Sequence, residues 1–372
     1  MGMFVNPGNS AFQVALNSEI YVDKTGLLEY TNKVMNTLQG YICNSRPRRF
    51  GKSITANMLT AYYSKGCDSK EMFSNLEISK TPDFEKHLNK YDVIHLDIQW
   101  CMEPAGGADN IVSYISEKTI SELKEYYPDV LTENLVSLPE VLSKINTETG
   151  TKFIVIIDEW DVLIRDKAAD QKIQDEYIGF LRGLFKGTEP TKYIQLAYLT
   201  GILPIKKEKT QSALNNFDEF TMLDSGILAQ YVGFTEKEVQ NLLKYYELES
   251  VGDEIKEWYD GYLFGKAEVY CPWDVISYLR DFQYGVAQKP KSYWKNTSDN
   301  AIIRSFIDYA GDNITTKLET LMAGGSIIQH IEENLTYDYL HSSEENLWSV
   351  LYLTGYLTKV RDKDLTDSLP DG

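Results

Sequence analysis

The stretch Arg46-Pro47-Arg48-Arg49-Phe50-Gly51-Lys52-Ser53 lies between a short apolar run at 41–44 and a helix-like segment at 53–65. No other feature constrains the fold of this chain as much. A strand that turns through a glycine into a helix aims successive backbone N–H groups, and the positive end of the helix dipole, at one point. Such a turn suits a phosphate: a lysine there reaches the outer phosphates and a serine hydroxyl ligates Mg²⁺. Gly51, Lys52 and Ser53 match the end of that pattern, but Arg46 stands where its first glycine normally falls. The tripeptide alone also fits a basic turn that starts a helix.

A second element separates these readings. The run Phe153-Ile154-Val155-Ile156-Ile157 ends in Asp158-Glu159. It reads as a buried strand delivering two carboxylates at its C-terminal end, where open α/β sheets bind ligands. Side chains alternate along a strand, so neighbouring acids can take different roles. Asp158 is the candidate to hold Mg²⁺ through water, with Ser53 as the other metal residue, and Glu159 is the candidate general base. Leu199-Thr200-Gly201 ends the next apolar run; Thr200 is placed to sense the outer phosphate and position water, although Thr-Gly is also an ordinary strand-end turn.

Around these motifs the chain alternates strand-like and helix-like segments: strands at 41–44, 93–98, 153–158 and 193–200, and helices at 53–65, 110–127, 138–146 and 169–186. This alternation predicts an α/β domain with a mainly parallel sheet over residues 1–234. Thr235-Glu236-Lys237-Glu238 then reads as a capping box opening a helix to about 248. A mostly helical domain over 235–372 follows, with the boundary near 230–236.

At 372 residues two domains are expected. The net charge of -18 argues against nucleic acid binding over the general surface, leaving Arg46, Arg48, Arg49 and Lys52 as a local basic patch. Cys43, Cys67, Cys101 and Cys271 are scattered, which suits neither zinc nor a disulfide framework and points to a reducing compartment. The sequence carries no signal-peptide pattern and no apolar run near the ~20 residues of a membrane helix, so a cytoplasmic protein is expected. His87, His95, His330 and His341 are unclustered. Arg48 and Arg49 suit phosphate, or alternatively ion pairs with Asp158 or Asp161. Arg182 reads as an arginine finger or a solvated helix face. Residues 21–25 would line an adenine pocket or anchor the N-terminus. Asp97 would support Mg²⁺ or cap a turn, and the aromatic turns at 259–262 and 293–294 read first as packing.

Together these segments resemble the bacterial AAA-ATPase-like family. The resemblance runs through Tyr21-Val22-Asp23-Lys24-Thr25, the arginine-rich loop to Ser53, Ile157-Asp158-Glu159-Trp160-Asp161 and Thr200-Gly201. It continues with Gly233-Phe234-Thr235-Glu236-Lys237-Glu238, Tyr259-Asp260-Gly261-Tyr262, Pro272-Trp273, Tyr293-Trp294-Lys295-Asn296-Thr297-Ser298 and 351–358. Tyrosine is usual in the family where this chain has Trp160. The resemblance implies an AAA-like P-loop NTPase core with a helical lid, using ATP and Mg²⁺, in which the loop from Arg46 through Pro47, Arg48, Arg49, Phe50 and Gly51 to Lys52 and Ser53 binds the nucleotide. Family members often carry a C-terminal restriction-endonuclease-like domain. No acidic-lysine nuclease constellation is evident in the last hundred residues, so either a form truncated before that domain or one that lacks it is expected, and nuclease activity is not.

The leading expectation is therefore an Mg²⁺-dependent ATPase whose nucleotide state is coupled to the lid or to a partner, with Lys52, Glu159 and Thr200 as its catalytic set. The alternatives are a nucleotide-binding switch or scaffold with little turnover, and a DNA-handling module acting with a nuclease domain. An oligomer is compatible with any of these.

Overall fold

The computed structural model describes residues 1–165, 171–205, 214–293, 312–332 and 344–360. Parts of four sequence readings lie outside these residues: the start of the 169–186 helix, the motif residues 294–298, His341 and the tail from 361. The chain divides into two compact units, Met1–Arg46 with Gly51–Thr221, and Pro47–Phe50 with Met222–Gly372.

The first unit is built on five parallel strands in the order β2-β3-β4-β1-β5: β1 (Tyr41–Ser45), β2 (Asp92–Asp97), β3 (Phe153–Asp158), β4 (Ile194–Gly201) and β5 (Asp218–Phe220). Every residue of β1, β3 and β4 is buried, as their near-continuous apolar character requires of strands covered on both faces. Strands expected at 41–44, 93–98, 153–158 and 193–200 are each present within a residue or two. The short, polar β5 was not anticipated. Helices Lys52–Tyr63, Ile111–Tyr126, Leu138–Thr149 and Gln171–Phe185 provide the layers.

Lys52–Tyr63 packs across β2, β3 and β4. The outer edge of β2 is closed by the N-terminus: Asn6 N donates to Val93 O at 2.7 Å and His95 N donates to Phe4 O at 2.9 Å. Edge strands need such cover. Residues 21–25 also anchor this unit. Asp23 accepts from Thr25 N and Thr25 Oγ1, and its other oxygen accepts from Glu77 N at 2.6 Å, while Ile78 N donates to Thr25 Oγ1. The tyrosine that opens the motif packs edge-on against buried Phe12.

In the second unit, Thr235 caps the helix Glu236–Tyr245 in a full capping box: its side chain accepts from Glu238 N, and Glu238 accepts from Thr235 N. Helices Gly252–Tyr259, Pro272–Gln283, Asp312–Met322 and Glu344–Leu353 make the unit mostly helical, as expected. It also holds an unanticipated antiparallel sheet, β6-β8-β7, from Phe234–Thr235, Ala267–Tyr270 and Asp260–Phe264. That sheet explains why the first unit ends at Thr221 rather than near 234. Phe234 pairs with Tyr270, and Gly265 N donates to Met222 O, so the chain from Met222 onward belongs to the second core. This core gathers Phe50, Met222, Val232, Phe264, Val269, Trp348 and Leu351.

Candidate nucleotide site

The parallel register sets a row of polar residues across the C-terminal edge of the first unit's sheet. Asp97 stands opposite Asp158, Asp158 opposite Thr200, and Thr200 opposite Asn44. Such an edge is where open α/β sheets bind ligands. β1 leaves this edge into the arginine-rich loop, which ends at Gly51 with φ +90 before the helix begins at Lys52. That left-handed conformation suits glycine, and nothing lies within 4 Å of where a Cβ would stand. Arg49 is left-handed as well, at φ +72. Alternation of this kind turns backbone N–H groups toward one concavity, a geometry suited to anions.

Ser53, on the first turn of this helix, is exposed and lies close enough to the buried carboxyl of Asp158 to influence its titration. Burial pushes that carboxyl up to about 6; Ser53 pulls the other way, Glu159 raises it and Lys52 lowers it. Lys52 is buried, with Nζ 3.8 Å from Glu159 Oε1. Desolvation lowers its pKa, and Glu159, Asp158 and Asp161 oppose the fall. Ser53, Lys52, Asp158 and Glu159, chosen from two separate motifs, thus converge. Thr200 is buried in the same row, and its hydroxyl has no hydrogen-bond partner among the described residues.

Glu159 has φ +52, unusual for a non-glycine residue, and its carboxylate is ion-paired with Arg165. Arg165 also reaches Asp161, with Nε 3.0 Å from Oδ2. Asp161 is fully buried and accepts from Ile202 N at 3.1 Å and Leu203 N at 2.9 Å. Trp160 N donates to Thr200 O, and Tyr177 OH donates to Trp160 O. Residues 158–161 are therefore pinned to the end of β4. The sequence reading missed Arg165; its i,i+4 spacing from Asp161 was the available signal.

The arginines of the loop differ in role. Arg46 is wholly buried, and its guanidinium donates to the carbonyls of Ser45, Phe220 and Thr221 at 2.8, 2.8 and 3.1 Å. Its side chain is thus a backbone staple at the entry of the loop. Pro47 and Phe50 are buried, and Phe50 lies in the core of the second unit. The guanidinium of Arg49 stacks 4.6 Å over Trp273. Arg48 is half-buried and makes no hydrogen bond or ion pair among the described residues. The ion-pair partner of Asp161 is Arg165 rather than Arg48 or Arg49. Arg182 is exposed on its helix, and Asp97 caps a turn by accepting from Trp100 N at 2.9 Å.

Mg²⁺ takes one or two protein oxygens and completes its shell with phosphate and water. The Ser53 hydroxyl beside the Asp158 carboxyl fits that demand. Among the described residues no group of three or more His, Cys, Asp or Glu is arranged as an all-protein metal cage. No helix among them is long and apolar enough to cross a membrane.

Comparison with known proteins gives the chain a family. A curated protein of Azotobacter chroococcum mcd 1, called "Uncharacterized protein in vnfD 5'region", is 25% identical over 347 residues; the match covers 91% of this chain and 60% of the relative. The chain thus spans about three fifths of that protein's length. Among solved structures, C. elegans PCH-2 aligns with 66% of this chain and 52% of its own at 12% identity, with a TM-score of 0.28, too slight a likeness to carry an argument. The family described as "Predicted AAA-ATPase" matches residues 8–210, more than half of the chain, and this chain belongs to that family.

Proposed function

We propose that this protein binds ATP with Mg²⁺ at the start of the Lys52–Tyr63 helix, hydrolyses it, and couples nucleotide state to its second unit. The observation that carries this reading is the convergence of Ser53 on Asp158 and of Lys52 on Glu159. Phosphoryl transfer asks the protein for positioning and charge neutralisation rather than covalent chemistry. Lys52, now among carboxylates, would turn to the outer phosphates. Ser53 and Asp158 would hold Mg²⁺, which supplies charge neutralisation when bound. Glu159 would take a proton from the attacking water, and Thr200 would orient that water by hydrogen bonding. Arg48, four residues before Lys52, is the loop arginine best free to reach phosphate. The preference for ATP rests on family membership.

A second reading, a switch with little turnover, is favoured by one observation: the carboxylate of Glu159 is already engaged by Arg165. Binding and turnover must therefore be measured separately. Titration with a fluorescent ATP analogue, with and without Mg²⁺, tests the binding half. Lys52→Ala is expected to weaken affinity at least about tenfold, and Asp158→Asn to abolish the gain from Mg²⁺. Unchanged affinity in Lys52→Ala would contradict the assignment.

A further inference from the structure

The phosphate loop leaves the first unit at Arg46 and re-enters it at Gly51; the four residues between them pack with the second unit. Phe50 is 2% exposed within the second unit's core. Its ring lies edge-on to Tyr262, with centroids 5.0 Å apart, and 5.3 Å from Phe264. Gly233 is shaped to receive it: φ is +109, and a Cβ there would stand 3.0 Å from Phe50 Cδ1 and 2.3 Å from Val269 Cγ1. Both flanks of the segment are fixed in the first unit. Arg46 is held by three carbonyls, two of them from Phe220 and Thr221, the last residues before the chain passes into the second unit. Gly51 precedes the first turn of the helix bearing Lys52 and Ser53.

We infer that Phe50 is a positioning residue through which nucleotide binding and the packing of the second unit's core are thermodynamically linked. This rests on the ATP-binding reading and names the device for its coupling. A ligand held by the backbone of a loop selects among that loop's conformations, and the Phe50 ring in an apolar core selects among the same conformations. Two influences on one short segment are necessarily reciprocal: whatever the core does for nucleotide affinity, nucleotide does for the core. Arg46 then acts as the fixed end, keeping the loop's entry and the exit at Thr221 on the same carbonyl cluster.

The test is hydrogen exchange of the Glu344–Leu353 helix, which contributes Trp348, Val350 and Leu351 to this core. It is run on the full chain with and without a non-hydrolysable ATP analogue and Mg²⁺, alongside analogue affinity. In the unaltered chain the analogue is expected to slow exchange there at least about tenfold. Phe50→Ala is expected to lose that protection and bind at least about tenfold more weakly, with Phe50→Leu restoring most of both. Leu351→Ala loosens the same core without touching the loop, and by that reciprocity it is expected to weaken affinity as well, though less than Phe50→Ala. Binding without slowed exchange in the unaltered chain would overturn the linkage and leave the ATP site standing. Unchanged affinity in Leu351→Ala, despite faster exchange in its core, would overturn it as well. No binding by the unaltered chain would overturn both.

Discussion

Replacing Gly201 by alanine tests the packing that holds the acidic turn in place. A Cβ added there would stand 2.6 Å from Asp161 Oδ1, 2.7 Å from Trp160 Cδ1 and 2.8 Å from Trp160 Nε1. Neither neighbour is free to swing away, because Trp160 is 2% exposed and Asp161 is wholly buried. Overpacking of this kind costs about 1–3 kcal/mol. Moving Asp161 also weakens charge-assisted bonds to Ile202 N and Leu203 N, each worth about 1.5–3 kcal/mol when fully lost. A total near 3 kcal/mol is expected, with the backbone itself unstrained because φ at Gly201 is negative or extended. In a unit of roughly 200 residues this lowers the midpoint by about 6–12 °C. Calorimetry of the full chain reads the shift in the first unit's transition, and analogue binding at a temperature where the variant is folded reads the displacement of Asp158 and Glu159. A midpoint within about 1 °C of the unaltered chain would refute the argument that indole and carboxylate close on this glycine.

Other perturbations follow from the same contacts. Asp161→Ala is expected to destabilise the first unit by about 3–5 kcal/mol in urea unfolding, since it breaks a buried ion pair and strands two backbone donors. His95, bonded to Thr60 Oγ1 at 2.9 Å, is pushed by burial from 6.5 down to about 4. Its folded form binds fewer protons than its unfolded form in that window, so its contribution is complete above pH 6.5 and falls away toward pH 4. At about 1.4 kcal/mol per pH unit the loss approaches about 3 kcal/mol, and urea midpoints of His95→Gln are expected to lack that component of the slope. Thr235→Ala removes the capping-box hydroxyl and is expected to cost the second unit about 0.5–2 kcal/mol, read as faster exchange along Glu236–Tyr245.

What the sequence displayed and what it hid divide along physical lines. β1, β3 and β4 were legible because strands buried on both faces need unbroken apolar runs, and the capping box because its chemistry is local. The convergence of Ser53 with Asp158 was legible because strand–loop–helix order places the two motifs on one edge of a parallel sheet. Three-residue β5 escaped because its polar residues carry no apolar period. The antiparallel sheet escaped because its pairing of 234–235 with 269–270 is set by contacts far apart in sequence, and the unit boundary moved with it. The part that Arg46 plays in the fold was hidden for a related reason. Nothing local in a basic loop shows that an arginine side chain will be held by the carbonyls of Phe220 and Thr221. Phe50 reads in sequence as a loop residue, and only the fold gives it a core.

The central claim is that Lys52, Ser53, Asp158 and Glu159 form a working nucleotide site. The most direct measurement is phosphate release from ATP with Mg²⁺ by the unaltered chain, Lys52→Ala and Glu159→Gln, with analogue affinity measured in parallel. The account predicts turnover in the unaltered chain, loss of turnover in both variants, and retained binding in Glu159→Gln. Turnover that persists in Glu159→Gln, or ATP binding indifferent to Lys52→Ala, would contradict it.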